Sequence, residues 1–525
     1  MNFKINNIIN QQYVNFKKQN KTQNMPKANF ETANDSFEMS VGYINDTHGQ
    51  NNNMMRILSG LKGDLILSAG DNDIGDEKNK PVHNATIKFL NKANIVATAL
   101  GNHEMDTSQQ DLMDSLKEYK GDVLATNFNK EMIETEDPEE VKKCYRDHLE
   151  KNIKKSKIVE VKGEKIGLLG ASPSDMFERL THANYHTDCT VDELDKTIVK
   201  VQNEVDNLKK EGVNKIFLLS HLGHKKNQAL AEKTNGIDVI IGGHTHELVK
   251  DIKENENLIY SNNGEPVIIT QAGRDGSYFG ELNLKFDKNG VITKAQNNLG
   301  ETRLFAKNMV NQYVFDSILG KPEHVGVIKQ APPPPTSLIE ENPHANFVCD
   351  AMREEMGADI AVWNNSGIRN FFHVGSIDSR DIKDIAPFFD RMCLADVSEK
   401  KIVDLFKHAI KTTYSSQGFK PGLIAVSGLD YTVNSKTKEL VAMNFIDKNG
   451  NVTPIDIDNP RDDKIYKLTT DEYIMSAGSD YDLLANLEDC IEIRPYDKDV
   501  LTCEYIKKLN KPVTINQTGR IKFVD

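Results

Sequence analysis

The chain has 525 residues, of which 38% are hydrophobic and 27% are charged. This length exceeds what one ordinary hydrophobic core accommodates, so two domains are expected. The net charge of −13 at pH 7 argues against a partner that is a nucleic-acid polymer, because such proteins need positive charge to neutralise phosphates. An acidic chain can still bind a small phosphate ester locally through metal ions.

The N-terminal segment predicts a flexible extension over residues 1–37. It has no acidic residue before Glu31, is rich in Asn, Gln and Lys, and lacks the continuous apolar stretch of a secretory signal. No apolar run approaches the ~18 residues that a membrane span needs. The six cysteines show no CxxC spacing, which predicts ordinary thiols. Together these features predict a cytoplasmic protein without a membrane span.

Short apolar strands alternate with helical segments between residues 39 and 292. The predicted strands are 39–44, 64–70, 95–100, 123–127, 215–221, 237–244 and 266–273. Between two of them, apolar residues recur at spacings of three and four from Leu194 to Leu208, and Gly212 is placed to end the helix. Hairpin signals occur at 157–171 and 280–292. This pattern predicts a layered α/β domain with antiparallel additions.

Four consecutive prolines, 332–335, indicate a stiff spacer before a second region. The clearest elements predicted beyond them are a helix over 346–357, a strand over 358–364 and a helix over 398–413. The second region is therefore expected to form its own mixed α/β unit.

Ligand-type side chains follow five of the predicted strands. They lie in the loops NDTHG, GDNDIGD, GNHEMD, SHLGH and GGHTH, and the candidate ligands are Asp46, His48, Asp71, Asn102, His221, His244 and His246. Because sites in α/β sheets form beyond the carboxyl ends of strands, we expect these side chains to meet. The sequence therefore predicts a carboxylate-bridged centre for two divalent metal ions.

The residue types favour Mn²⁺ or Zn²⁺, which accept mixed carboxylate and imidazole ligands. Asp71 can bridge both ions because a carboxylate has two oxygens. Two ions about 3.5–4 Å apart lower the pKa of a shared water and hold a phosphoryl group in line for attack. His103, with Asp106 three residues later, is predicted to stabilise the transition state and to protonate the leaving group. Glu104 is expected to be structural.

This motif set resembles the calcineurin-like metallophosphoesterases, and the two-part layout is similar to the 5′-nucleotidase family. The resemblance covers about residues 39–520. It implies an α/β protein of two domains. The expected parts are an N-terminal four-layered α/β/β/α sandwich over residues 38–305, a linker over 306–336, and a C-terminal mixed α/β substrate-specificity domain over 337–525.

Position by position, the resemblance also implies two ligand sets and a catalytic dyad. One ion would be held by Asp46, His48, Asp71 and His246, and the other by Asp71, Asn102, His221 and His244. His103 and Asp106 match the catalytic dyad. A metal-activated water would attack phosphorus while this dyad stabilises the transition state.

Three C-terminal segments resemble the substrate-binding segments of the same family. They are WNNSGIRN (363–370), PFFD (387–390) and DEYIMSAGSDYDLL (471–484). The resemblance implies that Asn364 and Arg369 contact substrate and that Phe388 and Tyr473 stack on a nucleobase. From the residues alone, core packing of both aromatic side chains is an equal alternative. The chain departs from the family where further arginines are usual, since none lies between Arg303 and Arg353.

The expected function is removal of phosphate from nucleotides by a metal-dependent hydrolase of the 5′-nucleotidase type. A 2′,3′-cyclic-nucleotide phosphodiesterase or a UDP-sugar hydrolase would use the same metal centre, so the sequence leaves these alternatives open. An alternative of another class is a non-catalytic binding protein with a vestigial site. The sequence speaks against it, because no expected ligand or dyad residue is replaced.

Overall fold

The computed structural model describes residues 14–15, 36–73, 80–105, 117–129, 151–176, 190–335, 337–388, 390–415, 421–476, 478, 489–495 and 497–525. The chain divides into two compact units, Met1–Gly320 and Lys321–Asp525. Among the described helices, none combines the length and the apolar character that crossing a membrane requires. The four described cysteines, Cys349, Cys393, Cys490 and Cys503, are free thiols.

The first unit contains strands β1–β16 and helices α1–α5. In chain order these elements are β1 (Val14–Asn15), β2 (Phe37–Ile44), α1 (Asn51–Gly60), β3 (Leu65–Ser68), α2 (Lys80–Lys92), β4 (Ala97–Ala99), β5 (Asp122–Leu124), β6 (Phe128–Asn129), β7 (Ile153–Lys154), β8 (Ser156–Val161), β9 (Glu164–Ala171), β10 (Thr190–Val191), α3 (Leu194–Lys210), β11 (Ile216–Ser220), α4 (His224–Lys233), β12 (Val239–Gly242), β13 (Leu258–Tyr260), β14 (Pro266–Thr270), β15 (Tyr278–Phe286), β16 (Ile292–Glu301) and α5 (Met309–Leu319).

Two large sheets form the centre of this unit. One has the order β1-β16-β15-β2-β3-β4-β5-β7 and the other the order β13-β14-β12-β11-β9-β8. Strands β2, β3, β4 and β5 run parallel, as do β9, β11, β12 and β14. The parallel strands are apolar runs because both faces of each sheet are covered. Antiparallel strands lie at the margins.

Three apolar clusters define the layers of the first unit. Val41 and Leu67 of one sheet share a buried cluster with Phe217 and Ile241 of the other, so the two sheets pack face to face. A second cluster joins α1 and α2 to the outer face of the first sheet. A third joins α3 and α4 to the outer face of the second sheet. The order is helix, sheet, sheet, helix, which confirms the predicted α/β/β/α sandwich.

The predicted linker over 306–336 contains regular structure. Asn308 caps α5 by accepting hydrogen bonds from the backbone N–H groups of Val310 and Asn311, and Phe315 of that helix is buried in the first unit. The chain divides after Gly320, within the segment expected to be a linker. The predicted extension over 1–37 falls largely outside the described residues, although Val14–Asn15 pairs with β16.

The second unit contains β17–β28 and α6–α10. These elements are β17 (His324–Gln330), α6 (Pro343–Glu355), β18 (Ile360–Asn364), β19 (Gly375–Asp378), α7 (Ser379–Ile385), β20 (Met392–Ser398), α8 (Glu399–Ser415), β21 (Ile424–Ser427), β22 (Leu429–Asn434), β23 (Leu440–Ile446), β24 (Val452–Ile455), β25 (Ile465–Asp471), α9 (Glu472–Met475), β26 (Cys490–Arg494), α10 (Lys498–Leu509), β27 (Val513–Thr514) and β28 (Ile521–Val524).

The main sheet of the second unit has the order β21-β18-β25-β20-β26. Smaller sheets have the orders β19-β17-β27 and β24-β23-β22-β28. One continuous apolar cluster, which includes the buried Trp363 and Phe406, joins the helices to these sheets. The second unit is therefore a mixed α/β domain with its own core, as predicted.

Candidate metal centre

The seven predicted ligand residues lie in loops that leave the carboxyl ends of parallel strands. Asp46 and His48 follow β2, Asp71 follows β3, Asn102 follows β4, His221 follows β11, and His244 and His246 follow β12. The two sheets present these loops to each other, since the backbone N–H of His244 donates to Asp46 Oδ1 at 3.0 Å. The structure thus brings side chains from distant parts of the first unit into one cluster.

Two groups of ligand-type atoms in this cluster consist only of predicted ligands. Asp46, His48 and His246 form one group, in which Asp46 Oδ1 lies 3.4 Å from His246 Nε2 and 3.9 Å from His48 Nε2. Asp71, His221 and His244 form the other. Atoms that bind one ion at about 2.0–2.2 Å lie roughly 3–3.5 Å apart. The spacings therefore fit groups that close slightly around an ion.

Asp71 faces both groups. Its Oδ2 lies 2.9 Å from His221 Nε2 and 3.6 Å from His48 Nε2. Its Oδ1 accepts a hydrogen bond of 2.9 Å from the backbone N–H of His103. This is the position that a bridging carboxylate needs.

Asn102 joins the second group through its amide oxygen, which lies 3.0 Å from Nδ1 of His244. Nε2 of His244 lies 3.8 Å from Asp175 Oδ1, a carboxylate that the sequence did not single out. Asn102 is buried and His244 is only partly exposed. An amide oxygen and an imidazole nitrogen at this separation can share one ion.

His103 lies at the edge of the cluster and is half-buried. Its ring meets the ring of His48 edge-on, with 5.1 Å between the ring centres, and its ligand-type nitrogen forms a third close group with His48 and Asp71. Asp106, the predicted partner of His103 in the dyad, lies outside the described residues.

The backbone of the centre is unusual at the ligands themselves. Five of the seven candidate ligands have a positive φ: Asp46 and His48 at 46°, Asp71 at 51°, His244 at 81° and His246 at 62°. Residues other than glycine rarely adopt this left-handed conformation, which costs about 1–3 kcal/mol each. Such conformations cluster at functional sites, where the surrounding structure holds them.

Further hydrogen bonds orient two of the histidines. Nδ1 of His48 lies 2.8 Å from Asp275 Oδ1, and Nδ1 of His221 donates to the carbonyl of Ala69 at 2.7 Å. Asp275 is 2% exposed and is also 2.9 Å from Arg274 Nε. Both Nε2 atoms are thereby directed at the carboxylates, as in metal sites where an outer carboxylate or carbonyl fixes the histidine tautomer.

Glu104 connects two of the ligand loops. Its carboxylate accepts hydrogen bonds from the backbone N–H groups of Asp71 at 3.0 Å, Asn72 at 2.7 Å and Gly101 at 2.9 Å. Burial, with the nearby Asp71 charge, raises the pKa of Glu104 to about 7. Its contacts are to backbone groups, in keeping with the structural role expected from the sequence.

The carboxylates of Asp46 and Asp71 lie close together and are buried. Burial alone would raise the pKa of Asp71, but the charges of His221 and His103 outweigh it and hold that pKa well below its usual range. Burial would lower the pKa of His221, yet Asp71 and Asp46 raise it to about 10. A divalent ion would balance the same carboxylates while leaving the imidazoles neutral, as metal ligation requires.

The donor set itself fits divalent metal ions. Nε2 of His221 is buried and makes no hydrogen bond of acceptable geometry, and it faces the two carboxylates from Asp46 and Asp71. Carboxylate oxygens, imidazole nitrogens and one amide oxygen suit Mn²⁺ or Zn²⁺. The residues present could therefore hold such ions.

The predicted substrate residues lie at one edge of the main sheet of the second unit. Ala361 of β18 pairs with Thr469 of β25 in parallel, and Met392 of β20 pairs with Asp471 of β25 in antiparallel fashion. The carboxyl ends of β18 and β25 and the amino end of β20 therefore lie on the same side of the sheet. Asn364, Phe388 and Tyr473 lie at or just beyond these strand ends.

Arg369 and Phe388 are in contact there, since the guanidinium carbon of Arg369 lies 5.0 Å from the Phe388 ring centre. Asn364 and Arg369 are buried, whereas Phe388 and Tyr473 are half-buried. Tyr473 also packs on the core of the unit. Both aromatic side chains are thus partly exposed, and core packing accounts for the buried part of Tyr473.

Comparison with known families agrees with this arrangement. Residues 39–248 match the model of the calcineurin-like phosphoesterase family, and residues 324–486 match the model of the 5′-nucleotidase C-terminal domain. The first unit is thus a metallophosphoesterase domain. With the second unit, the chain has the domain combination of the 5′-nucleotidase family, which confirms the predicted resemblance.

Several curated proteins are similar over most of the chain. The trifunctional nucleotide phosphoesterase protein YfkN of Bacillus subtilis is 27% identical over 93% of this chain, which spans 35% of that protein. The probable 5′-nucleotidase of Treponema pallidum is 27% identical, with 83% of this chain and 81% of that protein covered. The 5′-nucleotidase of Diplobatis ommata is 27% identical, with 88% and 82% covered.

Solved structures show the same fold. A 5′-nucleotidase precursor from Thermus thermophilus superposes with a TM-score of 0.69 at 21% identity, over 93% of this chain and 100% of that one. A sulfate thiohydrolase, SoxB, from the same species superposes with a TM-score of 0.65 at 15% identity, covering 92% and 96%. One of these proteins is named as a nucleotidase and the other as a sulfate thiohydrolase. The fold alone therefore does not identify the substrate.

Proposed function

We propose that this protein is a hydrolase that removes phosphate from nucleotides with the help of two divalent metal ions. The observation that carries the proposal is the position of Asp71, whose buried carboxylate faces both groups of ligand-type atoms. The names of the similar proteins, nucleotide phosphoesterase and 5′-nucleotidase, support nucleotides as the substrate class.

The ligand residues divide between two ions in this proposal. Asp46, His48, Asp71 and His246 would hold one ion, and Asp71, Asn102, His221 and His244 the other. When bound, Mn²⁺ or Zn²⁺ ions supply Lewis-acid stabilisation of phosphoryl oxygens and lower the pKa of water. Asp275 keeps Nε2 of His48 available to an ion by accepting from Nδ1.

His103 is the proposed proton donor. Its half-buried ring lies beside His48 at the edge of the centre, from which an imidazolium can donate to the oxygen of a leaving group. The backbone N–H of His103 donates to Asp71 Oδ1, which keeps the backbone of His103 next to the proposed bridging carboxylate. Asp106 is proposed to orient it. General acid catalysis of this kind contributes about 10²–10⁴-fold.

The second unit is proposed to recognise the nucleoside. Phe388 and Tyr473 would stack on the base, a contact worth about 1–3 kcal/mol per base and tolerant of base identity. Arg369 stacks against Phe388 and thereby fixes the orientation of that ring. Asn364, at the end of β18, would donate or accept a hydrogen bond to the sugar.

A purified enzyme tests the proposal directly. With Mn²⁺ it should release phosphate from a nucleoside monophosphate, lose activity with a chelator and regain it when Mn²⁺ is restored. Asp71→Asn should lower the rate by at least about 10²-fold, because an amide nitrogen, which binds metal poorly, replaces one oxygen of the shared carboxylate. Glu160→Gln, an exposed carboxylate in β8, is the matched control and should retain full activity.

The same assay separates the alternatives. A panel of nucleoside monophosphates, 2′,3′-cyclic nucleotides and nucleotide sugars would show a cyclic phosphodiesterase or a UDP-sugar hydrolase by its preferred ester. Metal bound at full occupancy without hydrolysis of any ester in the panel would contradict the proposal and leave the binding protein as the explanation.

A further inference from the structure

Lys498 is a buried charge at the start of α10. It is 0% exposed, whereas lysine is almost never fully buried unless it is paired. Its ammonium lies 2.8 Å from Asp471 Oδ2 and 3.5 Å from Asp390 Oδ2. It also lies 5.6 Å from the centre of the Trp363 ring, within cation–π range.

Each of these three neighbours adjoins a proposed substrate residue. Asp390 is two residues after Phe388, Asp471 is two residues before Tyr473, and Trp363 directly precedes Asn364. The three segments are separate in the chain and meet at this ammonium. Lys498 is therefore a contact that all three have in common.

Asp471 couples the ammonium directly to the helix that carries Tyr473. Its Oδ1 caps α9 by accepting from the backbone N–H of Ile474 at 2.9 Å, while its Oδ2 pairs with Lys498. A capping carboxylate held by a buried ammonium cannot change rotamer without breaking one of the two contacts. The start of α9 is thereby fixed relative to α10.

Other charged groups nearby are paired elsewhere or exposed. Asp497 pairs with the ammonium of Lys383 at 2.9 Å. The neighbouring Asp499 lies 3.7 Å from the Lys383 ammonium as well. Arg391 and Glu472 form a second link between the segments of Phe388 and Tyr473, but the Arg391 side chain is 42% exposed. Exposed pairs contribute little, so Lys498 is the main electrostatic connection.

Stability alone does not account for this arrangement. Replacing a buried ion pair with apolar residues of similar volume is often neutral or stabilising. The carboxylates of Asp390 and Asp471 also repel each other. A buried ammonium that contacts three separate segments is better explained by a need to hold these segments in one fixed arrangement.

We propose that Lys498 is a positioning residue for substrate selection, whose ammonium holds the segments of Asn364, Phe388 and Tyr473 in the arrangement that accepts a nucleoside. The inference rests on the proposed nucleotide substrate. It concerns nucleoside recognition, so removal of the ammonium should weaken binding of the base-bearing substrate and leave chemistry on a small ester unchanged.

The test compares two substrates on the full-length Mn²⁺-loaded protein. Lys498→Met should raise KM for a nucleoside monophosphate about ten-fold, within the range that lost stacking produces. Its kcat/KM for glycerol phosphate, which has no base, should stay within about two-fold of the starting value. Lys498→Arg should restore part of the nucleotide affinity. Lys507→Met, which removes a partly exposed lysine of the same helix, is the control and should change neither value.

An unchanged nucleotide KM in Lys498→Met, or equal losses on both substrates, would overturn the inference. If that variant does not fold, Asp390→Asn takes its place, because it leaves the pair with Asp471 intact. It should raise the nucleotide KM about three-fold, and an unchanged KM would again overturn the inference.

Binding distinguishes this inference from the proposed function. Trp363 is the single tryptophan of the chain and directly precedes Asn364, so we expect its fluorescence to change when a nucleoside monophosphate binds, without any catalysis. If the protein hydrolyses no ester, the proposed function fails, yet Lys498→Met should still weaken binding about ten-fold relative to Lys507→Met. Equal affinities, or no binding by the unaltered protein, would overturn the inference.

Discussion

Asp275→Asn is the sharpest test of how the metal centre is held. Asp275 has a φ of 57°, a conformation that asparagine tolerates better than most residues, so the substitution keeps the backbone. The backbone N–H of Asp275 still donates to the Asp46 carbonyl. What changes is the charge that faces Nδ1 of His48 and Nε of Arg274.

The expected magnitude follows from these contacts. An amide oxygen can still accept from Nδ1 of His48 at about the observed 2.8 Å, but the bond loses its charge assistance. Charged hydrogen bonds are roughly twice as strong as neutral ones, and loss of an outer carboxylate typically costs 10–100-fold in metal affinity or activity. We expect about a ten-fold increase in the Mn²⁺ concentration that gives half-maximal activity.

The assay is a Mn²⁺ titration of phosphate release after complete chelation. The kcat at saturating Mn²⁺ should stay within a few-fold of the starting protein, because every proposed ligand is still present. Asp251→Asn, an exposed carboxylate of the same unit, is the control and should not shift the titration. An unshifted curve for Asp275→Asn would refute the reasoning that Asp275 tunes His48.

Three further predictions concern other parts of the molecule. Phe388→Ala should raise the nucleotide KM about ten-fold through lost stacking and leave a small ester unaffected; equal losses on both substrates would show that the ring is core packing. His103→Gln should lower kcat about 10²–10⁴-fold with Mn²⁺ activation unchanged, and a shifted Mn²⁺ titration would instead make His103 a ligand. The pKa of Glu399 lies below its usual 4.5, chiefly because Arg461 donates a hydrogen bond to its carboxylate. The ionised Glu399 therefore stabilises the fold above pH 4.5, and this contribution is lost as the pH falls through the folded-state pKa. Thermal unfolding should therefore show Glu399→Gln less stable than the unaltered protein at pH 7, with the gap closing on acidification; a constant gap would contradict the linkage.

The strand-end residues were predictable because each follows an apolar run, and parallel strands deliver their loops to one edge. Asp275 was not predicted, although it lies two residues after the predicted strand 266–273, because its contact with His48 exists only in three dimensions. A second local signal was the glycine on either side of Arg274-Asp275, which indicates a tight turn.

Lys498 was missed for a different reason. A lysine at the first turn of a helix, among Asp497 and Asp499, is typical of a solvated surface. Its burial depends on the antiparallel pairing of β20 with β25, which brings Asp471 beside the segment of Asp390. Helix α5 was not predicted, although Asn308 is a good capping residue. The prolines at 332–335 indicate a spacer, and the residues before them were therefore assigned to the predicted linker.

The left-handed backbone at five ligands bears on which metal the protein would carry. A cage whose shape is set by its backbone closes only slightly around an ion, as the ligand spacings require, so one dication can replace another without refolding. Selection then depends on intrinsic affinity, which for such donors is higher for Zn²⁺ than for Mn²⁺, and on supply. In a mixture of equal concentrations Zn²⁺ should displace Mn²⁺, and occupancy in a cell should follow whichever ion is more available in free form.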